Sequence, residues 1–253
     1  MLPHETRLKL SDWFDDLSVR FLVNLPDEEL QDASRICFQI EEAHWFYEDF
    51  VREESPDLPS MNMRQFAYEI MAHCPLLETW PEDLRVSAFE AFIAYKARVP
   101  VRGGILLNHD MTEVVLVKGW KKSAKWSFPR GKLNKEEHDL VCAVREVYEE
   151  TGYDLKQAGL VAPEEDMKSI QVPIREQDIK LFVFRGVPKD TYFAPRTRKE
   201  ISDIQWYKLS DLPTQKRKNA MQQTQAQQNA AQDKRGNSFY MVAPFLGPLK
   251  AWI

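Results

Sequence analysis

Residues 131–153 read Gly-Lys-Leu-Asn-Lys-Glu-Glu-His-Asp-Leu-Val-Cys-Ala-Val-Arg-Glu-Val-Tyr-Glu-Glu-Thr-Gly-Tyr. This stretch predicts a helix that carries three closely spaced carboxylates, on Glu146, Glu149 and Glu150. Hard divalent cations prefer oxygen ligands, and such cations are what cleavage of a pyrophosphate bond requires. The stretch therefore predicts a helix with a binding site for a catalytic metal.

Helical periodicity assigns the faces of this segment. An α-helix advances about 100° per residue, so the three glutamates and Cys142 fall within an arc of roughly 100°. The residues predicted to face the core lie on the opposite side: Val141, Val144 and Tyr148. Gly152 is placed to cap the C-terminus. The alternative is a solvated acidic face on which Arg145 pairs with Glu149, although clustered like charges destabilise a helix.

The regions around this helix differ in pattern. Residues 1–95 have apolar residues at helical spacing and predict an all-helical domain, with residues 96–101 as a candidate hinge. Beyond the hinge, runs rich in Val, Ile and Leu predict strands at 101–107, 113–118, 179–187 and 201–207. The prediction is an α+β chain: a helical domain hinged to an α/β/α sandwich at 102–253, with a closing helix at about 238–253.

The overall composition is that of an ordinary globular protein, with 43% hydrophobic and 29% charged residues. No apolar run approaches the roughly 20 residues that span a bilayer, and the first residues lack a signal peptide's apolar core. Cys37, Cys74 and Cys142 suggest neither a disulfide framework nor a zinc site. We therefore expect a cytoplasmic protein in a reducing compartment with no membrane partner.

Charge is distributed unevenly along the chain. Residues 1–100 contain nine Lys or Arg against twenty Asp or Glu, whereas the remaining residues contain 25 against 19. Every charged residue between 114 and 135 is basic: Lys118, Lys121, Lys122, Lys125, Arg130, Lys132 and Lys135. We interpret this segment as facing a polyanion, the alternative being a solvated basic hairpin. A glutamine-rich, low-complexity insertion is predicted at about 215–237.

The stretch that begins at Gly131 resembles the signature of the Nudix hydrolases. All the signature positions are present: Gly131, Glu137, Arg145, Glu146, Glu149, Glu150 and Gly152. The resemblance implies that Glu146 and Glu150 are metal ligands with Glu149 close by, and that Mg²⁺ or Mn²⁺ is the cofactor. It also implies that the Gly131 carbonyl joins the metal ligands and that Arg145 orients a glutamate. Lys132 and Arg130 either hold phosphate oxygens or are surface cations.

A general base outside the signature helix is also expected, because Nudix enzymes often take one from there. The candidate is Glu200, which stands at the mouth of a predicted strand among several cations: Arg185, Arg196, Arg198 and Lys199. The alternatives are that Glu149 is the base and that Glu200 only caps the strand.

Trp45 points to the substrate. On a helical wheel the apolar stripe of its segment comprises Ile36, Ile40, Ala43, Tyr47, Phe50 and Val51. Trp45 projects from the other side, beside Glu41, Glu42 and Asp49. An aromatic ring among carboxylates suits stacking on a flat cation such as 7-alkylated guanine, the alternative being packing against another helix.

Several runs resemble the family of catalytic subunits of the eukaryotic mRNA-decapping enzyme. They are distributed along the whole chain: residues 39–50, 72–77, 100–103, 117–120, 145–152, 196–202 and 239–242. This resemblance implies a regulatory domain at 1–95 and a catalytic domain at 102–253 that complete one site when the hinge closes. It implies hydrolysis of the cap to 7-methylguanosine diphosphate and 5′-monophosphate RNA.

The same resemblance assigns binding roles. Trp45 and Asp49 would recognise the cap base, with Tyr240 on its other face and Arg175 assisting. Capped mRNA would be gripped by the basic segment, and the helix at about 8–25 would dock the decapping activator subunit. Other decay factors and enhancers of decapping are further expected partners, and P-bodies the expected location.

Two alternative functions remain open from the sequence. One is a Nudix hydrolase of small nucleotides or dinucleoside polyphosphates, which would need neither the helical domain nor Trp45. The other is a non-catalytic Nudix-fold scaffold, against which the complete set of three signature glutamates argues.

Overall fold

The structure is a computed structural model that describes residues 4–30, 33–174, 176–213 and 238–253. It divides into two compact units, Met1–Ala97 and Arg98–Ile253. The predicted glutamine-rich insertion and Arg175 lie outside the described residues. Within the described part of the chain, no helix has the length and apolar character that crossing a bilayer requires.

The first unit is helical, as predicted. Its α-helices are α1 (His4–Ser18), α2 (Asp27–Leu30), α3 (Ala33–Phe46), α4 (Arg52–Glu54), α5 (Met63–His73), α6 (Pro75–Glu78) and α7 (Glu82–Arg98). Wider π-helical turns at Val19–Val23 and Tyr47–Val51 extend α1 and α3. Asn62 caps α5, since its side chain accepts a hydrogen bond of 3.0 Å from the Gln65 N–H. Phe14, Tyr47 and Phe66 pack as a ring cluster in the core.

The predicted apolar stripe of α3 is correct except at Phe50. Tyr47 and Val51 are fully buried, but the Phe50 side chain is 46% exposed. A π-helical turn closes hydrogen bonds five residues apart and so advances less per residue than an α-helix. Val51 therefore comes to lie above Tyr47, while Phe50 is rotated out of the core.

The second unit is a sandwich built on a mixed sheet. Its strands are β1 (Val101–Asn108), β2 (Glu113–Gly119), β3 (Trp126–Ser127), β4 (Arg130–Lys132), β5 (Ser169–Ile174), β6 (Gln177–Val187) and β7 (Ile201–Lys208). The order is β3-β2-β1-β6-β5, with β4 paired to β1 and β7 paired to β2. β1 and β6 are parallel, and the other pairs are antiparallel. The four predicted strands are β1, β2, β6 and β7.

Two helices cover opposite faces of the sheet. On one face α8 (Asp139–Thr151) packs Ala143 and Val147 against Leu106 of β1. On the other face α9 (Ala243–Trp252) packs Phe245 and Leu249 against residues that include Leu107. Alternate residues of β1 face the two sides, as the period of a strand requires. The predicted α/β/α sandwich and closing helix are confirmed.

The junction between the units differs in detail from the predicted hinge. Helix α7 continues through Arg98 and β1 begins at Val101. The predicted hinge at 96–101 therefore consists of the end of α7, then Val99 and Pro100, and the first residue of β1. Pro100 has no N–H and cannot extend the helix. Its role as a hinge stays a prediction.

Two of the residues assigned to the core face of α8 are exposed. Val141 is 49% exposed and Tyr148 is 39% exposed, whereas Val144 is buried as predicted. The prediction was wrong because α8 packs against β4 as well as against β1. The glutamate side is thus buried as well, and the outward stripe runs through Val141 and Tyr148.

Candidate active site

Gly152 ends α8 at the position that the sequence predicted. Its φ is +71°, in the left-handed region, and its N–H donates to the Tyr148 carbonyl over 2.8 Å. A Cβ atom here would lie 2.1 Å from the Ala194 carbonyl oxygen. Only glycine fits, and the chain after Gly152 can leave the helix close to the loop that carries Ala194.

Arg145 organises the glutamates of α8. Its Nε and Nη2 donate to the two carboxylate oxygens of Glu137 over 2.8 and 2.9 Å. Its Nη1 donates to Glu146 over 2.7 Å and to Glu149 over 3.0 Å. The hydrogen bonds from Arg145 lower the pKa of Glu137 to about 2. One guanidinium thus holds three carboxylates, and Arg145 also donates to the Lys132 carbonyl over 3.2 Å.

Glu146 is buried against the backbone of β4. A Cβ atom on Gly131 would lie 2.1 Å from Glu146 Oε2, so the carboxylate occupies the space that a side chain would fill. Burial raises the pKa of Glu146 to about 7; Arg145 opposes this shift, while the charges of Glu149 and Glu200 add to it. The Glu146 carboxylate is therefore held close to the Gly131 backbone, and its contact with Arg145 does not offset the effect of burial on its pKa.

Glu150 is the second buried carboxylate. It accepts a hydrogen bond of 3.0 Å from the Arg130 N–H. Burial raises its pKa to about 8, and the charge of Glu200 adds to the shift. The Arg130 guanidinium donates to the Phe128 carbonyl over 2.9 Å and lies 5.4 Å from the centre of the Tyr240 ring. Burial lowers the pKa of Arg130.

The structure brings Glu200 to the signature glutamates from a distant part of the sequence. Its charge raises the pKa of both Glu146 and Glu150, and it directly precedes β7. Its carbonyl accepts a hydrogen bond of 2.8 Å from the Trp120 N–H. The preceding residue, Lys199, has a φ of +52°, a strained conformation of the kind found near functional sites. Arg196, predicted beside Glu200, has its guanidinium 5.4 Å from the Tyr148 ring centre.

These residues fit a hard divalent cation in their chemistry. Among the described residues, no three His, Cys, Asp or Glu side chains converge as a ready ligand group. Glu146 and Glu149 are turned toward Arg145, and Glu150 toward the Arg130 N–H. The donors are nevertheless oxygen atoms, two of the carboxylates are buried with raised pKa, and Gly131 lets the Glu146 carboxylate lie against the backbone. Such a surplus of buried negative charge is what a bound cation neutralises.

The predicted cap-binding residues lie in both units. Tyr240 is half-exposed, and its N–H donates to the Trp126 carbonyl over 2.8 Å, which fixes it beside Arg130. In the first unit Trp45 is half-exposed and Asp49 partly exposed. Lys96 Nζ lies 5.6 Å from the Trp45 ring centre and forms an ion pair with Glu41. Each ring therefore already has a cation against it.

The predicted phosphate-binding cations differ in exposure. Those fully at the surface are Lys121, Lys122, Lys125 and Lys135. Lys118, Arg130 and Lys132 are partly buried. The backbone of Lys132 is fixed by Arg145, and that of Arg130 by Glu150, so both residues are anchored at the glutamate cluster.

Sequence reasoning gave Arg102 no role. This buried side chain donates to Asp139 over 2.5 Å and forms an ion pair with Asp178 at 3.2 Å. Lys180 joins the network through Asp139 at 3.2 Å and Glu164 at 2.9 Å. The available signal was an arginine at the start of an apolar strand run. Because Asp139 is the first residue of α8, the network fixes the start of the helix that carries the glutamates.

Comparisons with known proteins agree with both units. The description "Dcp2, box A domain" matches residues 12–95, and "NUDIX domain" matches residues 97–227. The chain is 49% identical over 248 residues to "mRNA decapping complex subunit 2" of Schizosaccharomyces pombe, covering 98% of this chain and 31% of that protein.

Two further relatives show the same pattern. "mRNA-decapping enzyme subunit 2" of Arabidopsis thaliana is 41% identical, covering 97% of this chain and 61% of that protein. "m7GpppN-mRNA hydrolase" of Saccharomyces cerevisiae is 35% identical, covering 94% of this chain and 22% of that protein. The chain thus spans between about a fifth and three fifths of the length of these relatives.

Proposed function

The chain belongs to the Nudix family, and from this premise we propose that it hydrolyses the 5′ cap of mRNA. The products would be 7-methylguanosine diphosphate and 5′-monophosphate RNA, a substrate for decay. The observation that carries the proposal is a pair of buried carboxylates near Glu200: Glu146 lies against Gly131, and Glu150 accepts a hydrogen bond from the Arg130 N–H. We propose the cap as the substrate because relatives of this chain are named "mRNA decapping complex subunit 2" and "m7GpppN-mRNA hydrolase".

Mg²⁺ or Mn²⁺ is the proposed cofactor. Glu146, Glu149, Glu150 and the Gly131 carbonyl would hold it, with Glu200 from the neighbouring segment. A bound cation of this kind neutralises phosphate oxygens and acidifies a water molecule. The other parts of the reaction fall to the residues of the chain itself.

Proton transfer and phosphate positioning are assigned to residues around the cluster. Glu200 or Glu149 would accept the proton of the attacking water; Glu200 is exposed, whereas Glu149 is held by Arg145. Lys132 and Arg130 would hold phosphate oxygens, because both are anchored at the glutamates through their backbones. Positioning and charge stabilisation are the main contributions that a protein makes to phosphoryl transfer.

Recognition of the cap base is assigned to Trp45, Asp49 and Tyr240, with Arg175 as a further candidate. The support is that the Trp45 ring faces Lys96 and the Tyr240 ring faces Arg130. Each ring therefore already takes part in a cation–π contact, the interaction that a positively charged 7-methylguanine would make. Asp49 would accept hydrogen bonds from the edge of the base.

The proposal extends to partners and location. The basic residues Lys118, Lys121, Lys122, Lys125 and Lys135 would contact the RNA backbone. The helix at about 8–25 would dock a decapping activator subunit, and other decay factors would join it in the cytoplasm, including P-bodies. RNA binding through these lysines should weaken as salt concentration rises.

The test is capped RNA labelled at the cap phosphates and incubated with the protein and Mg²⁺ or Mn²⁺. We expect release of 7-methylguanosine diphosphate, slowed at least about 100-fold in Glu150→Gln. Release of the monophosphate would contradict the bond assignment. Equal turnover of the free cap dinucleotide and capped RNA would favour the small-nucleotide alternative, and release by the wild type no faster than by Glu150→Gln would favour the scaffold alternative.

A further inference from the structure

Trp120 is the most exposed of the seven tryptophans. Its side chain is 58% exposed, on the segment between β2 and β3. A tryptophan has a large aromatic surface, and tryptophans are enriched where proteins contact partners. None of the roles assigned above uses this side chain.

The backbone around Trp120 is firmly held. The pairing of β2 with β7 shifts register between Lys118 and Gly119, a β-bulge of the kind that redirects a side chain beside an active site. The Ser202 hydroxyl donates to the carbonyls of Lys118 and Gly119 over 3.2 and 2.9 Å. The Trp120 N–H donates to the Glu200 carbonyl over 2.8 Å. The backbone of Trp120 is therefore hydrogen-bonded to the backbone of Glu200, the residue proposed as general base.

The residues that flank Trp120 in the sequence are cationic. Lys121 and Lys122 follow it directly and are exposed, and the chain turns back through a hydrogen bond of 2.8 Å from the Ala124 N–H to the Lys121 carbonyl. Lys118 and Lys125 lie on either side in the sequence, and the segment from 114 to 135 contains no acidic residue. Lysine-rich surroundings suit a polyanion rather than an apolar partner surface.

Building on the proposed function, we propose that Trp120 is a stacking platform for an unpaired RNA base just downstream of the cleaved phosphate. Proteins that bind single-stranded nucleic acid combine a cationic track for the backbone with aromatic rings on which bases stack. Here the two features occur in one turn, and that turn is hydrogen-bonded to Glu200. The lysines would bind the phosphates. The indole would stack on the base and so fix the direction in which the strand leaves the site.

Binding of single-stranded RNA with a 5′-monophosphate, followed by fluorescence anisotropy, tests this proposal. We expect Trp120→Ala to weaken binding by roughly 5-fold to 100-fold, and Trp120→Phe to keep most of the affinity, because phenylalanine can still stack. The matched control is Tyr192→Ala, which removes an aromatic side chain that is 88% exposed in the same unit. That variant should bind like the wild type.

Two comparisons separate stacking from charge. Trp120→Ala should leave the salt dependence of binding unchanged, whereas Lys121→Gln should reduce its slope. Blunt duplex RNA, whose bases are not free to stack, should bind equally to wild type and Trp120→Ala. Unchanged single-strand affinity in Trp120→Ala, or an equal loss for duplex and single strand, would overturn the proposal.

Failure of this inference is distinguishable from failure of the proposed function. If the wild type releases 7-methylguanosine diphosphate but Trp120→Ala binds RNA normally, cap hydrolysis stands and the platform is wrong. If the wild type binds single-stranded RNA through Trp120 but releases no 7-methylguanosine diphosphate, the assigned reaction is wrong.

Discussion

Two parts of α8 differ in how completely their carboxylates are paired with cations. At the N-terminal end, Arg102 and Lys180 surround Asp139. Burial opposes ionisation of Asp139, but hydrogen bonds from Arg102 and Lys180 outweigh it and lower its pKa. Farther along the helix, Arg145 is shared among three glutamates, and burial raises the pKa of Glu146 and Glu150.

The arrangement around Asp139 is that of a structural network, whereas the arrangement around Glu146 and Glu150 is that of a site able to bind a cation. A buried charge is tolerated when it is paired and hydrogen-bonded, as that of Arg102 is. Ionisation of Glu146 and Glu150 carries a cost in the protein alone, and a divalent cation would remove that cost. The network at Asp139 fixes the start of the helix and so keeps these glutamates in position.

The largest expected effect is at the paired end. Arg102→Met should lower the free energy of unfolding by about 2–4 kcal/mol, because Asp139 loses a charge-assisted hydrogen bond and Asp178 loses an ion pair. Urea denaturation measures this change. The control is Arg98→Met, which breaks an ion pair whose two side chains are 68% and 67% exposed. Surface pairs contribute about 0–1 kcal/mol, and equal losses in the two variants would contradict the network's role.

The next effect is at the cluster itself. Glu150→Gln should reduce the rate of cap hydrolysis by at least about 100-fold, because it removes a charge assigned to the metal. The metal-free variant should be no less stable than the wild type at pH 8, since it lacks a buried charge. Thermal unfolding in a chelator checks this second part. A large loss of stability would place Glu150 with the structural charges instead.

The pH dependence of stability follows from the same contrast. The pKa of Glu146 is about 7 and that of Glu150 about 8, both above the ordinary value near 4.5. Between pH 4.5 and 8 the folded protein therefore binds more protons than the unfolded chain, and its stability falls as pH rises. We expect the free energy of unfolding of the metal-free protein to fall continuously across this range. Glu137, with its pKa near 2, acts oppositely: its contribution is present above pH 4.5 and is lost on acidification toward pH 2.

Added Mg²⁺ or Mn²⁺ should reduce this loss at pH 8, because ligand binding stabilises the folded state. Unfolding curves at pH 5 and pH 8, with and without the cation, give the four required values. A cation effect that is no larger at pH 8 than at pH 5 would argue against coupling between these glutamates and the metal.

Much of the fold and of the glutamate cluster on α8 could be predicted from local sequence. The predicted strands are long apolar runs, and Gly131, Glu137 and Arg145 stand at fixed spacing from the glutamates. β3 and β4 were not predicted because two or three residues carry no periodicity, and β5 contains Pro173. These short elements matter, since β4 is what buries Glu146.

The remaining features depend on contacts between distant residues. Arg102 meets its partners 37 and 76 residues later in the chain, and no local pattern records such pairs. Glu200 was a candidate only from its cationic neighbourhood. Phe50 was misplaced because a helical wheel assumes a constant advance per residue, which the π-helical turn breaks.

The smallest expected effect tests the corrected faces of α8. Val141→Ala should change the free energy of unfolding by less than about 0.5 kcal/mol, and in the stabilising direction, because Val141 is 49% exposed and alanine is the better helix former. The reference is Val147→Ala, which removes the same atoms from a fully buried position and should cost about 2 kcal/mol or more. Urea denaturation of both variants provides the comparison. Similar losses in the two would mean that Val141 is packed, and that the stripe through Val141 and Tyr148 is not the outer face of the helix.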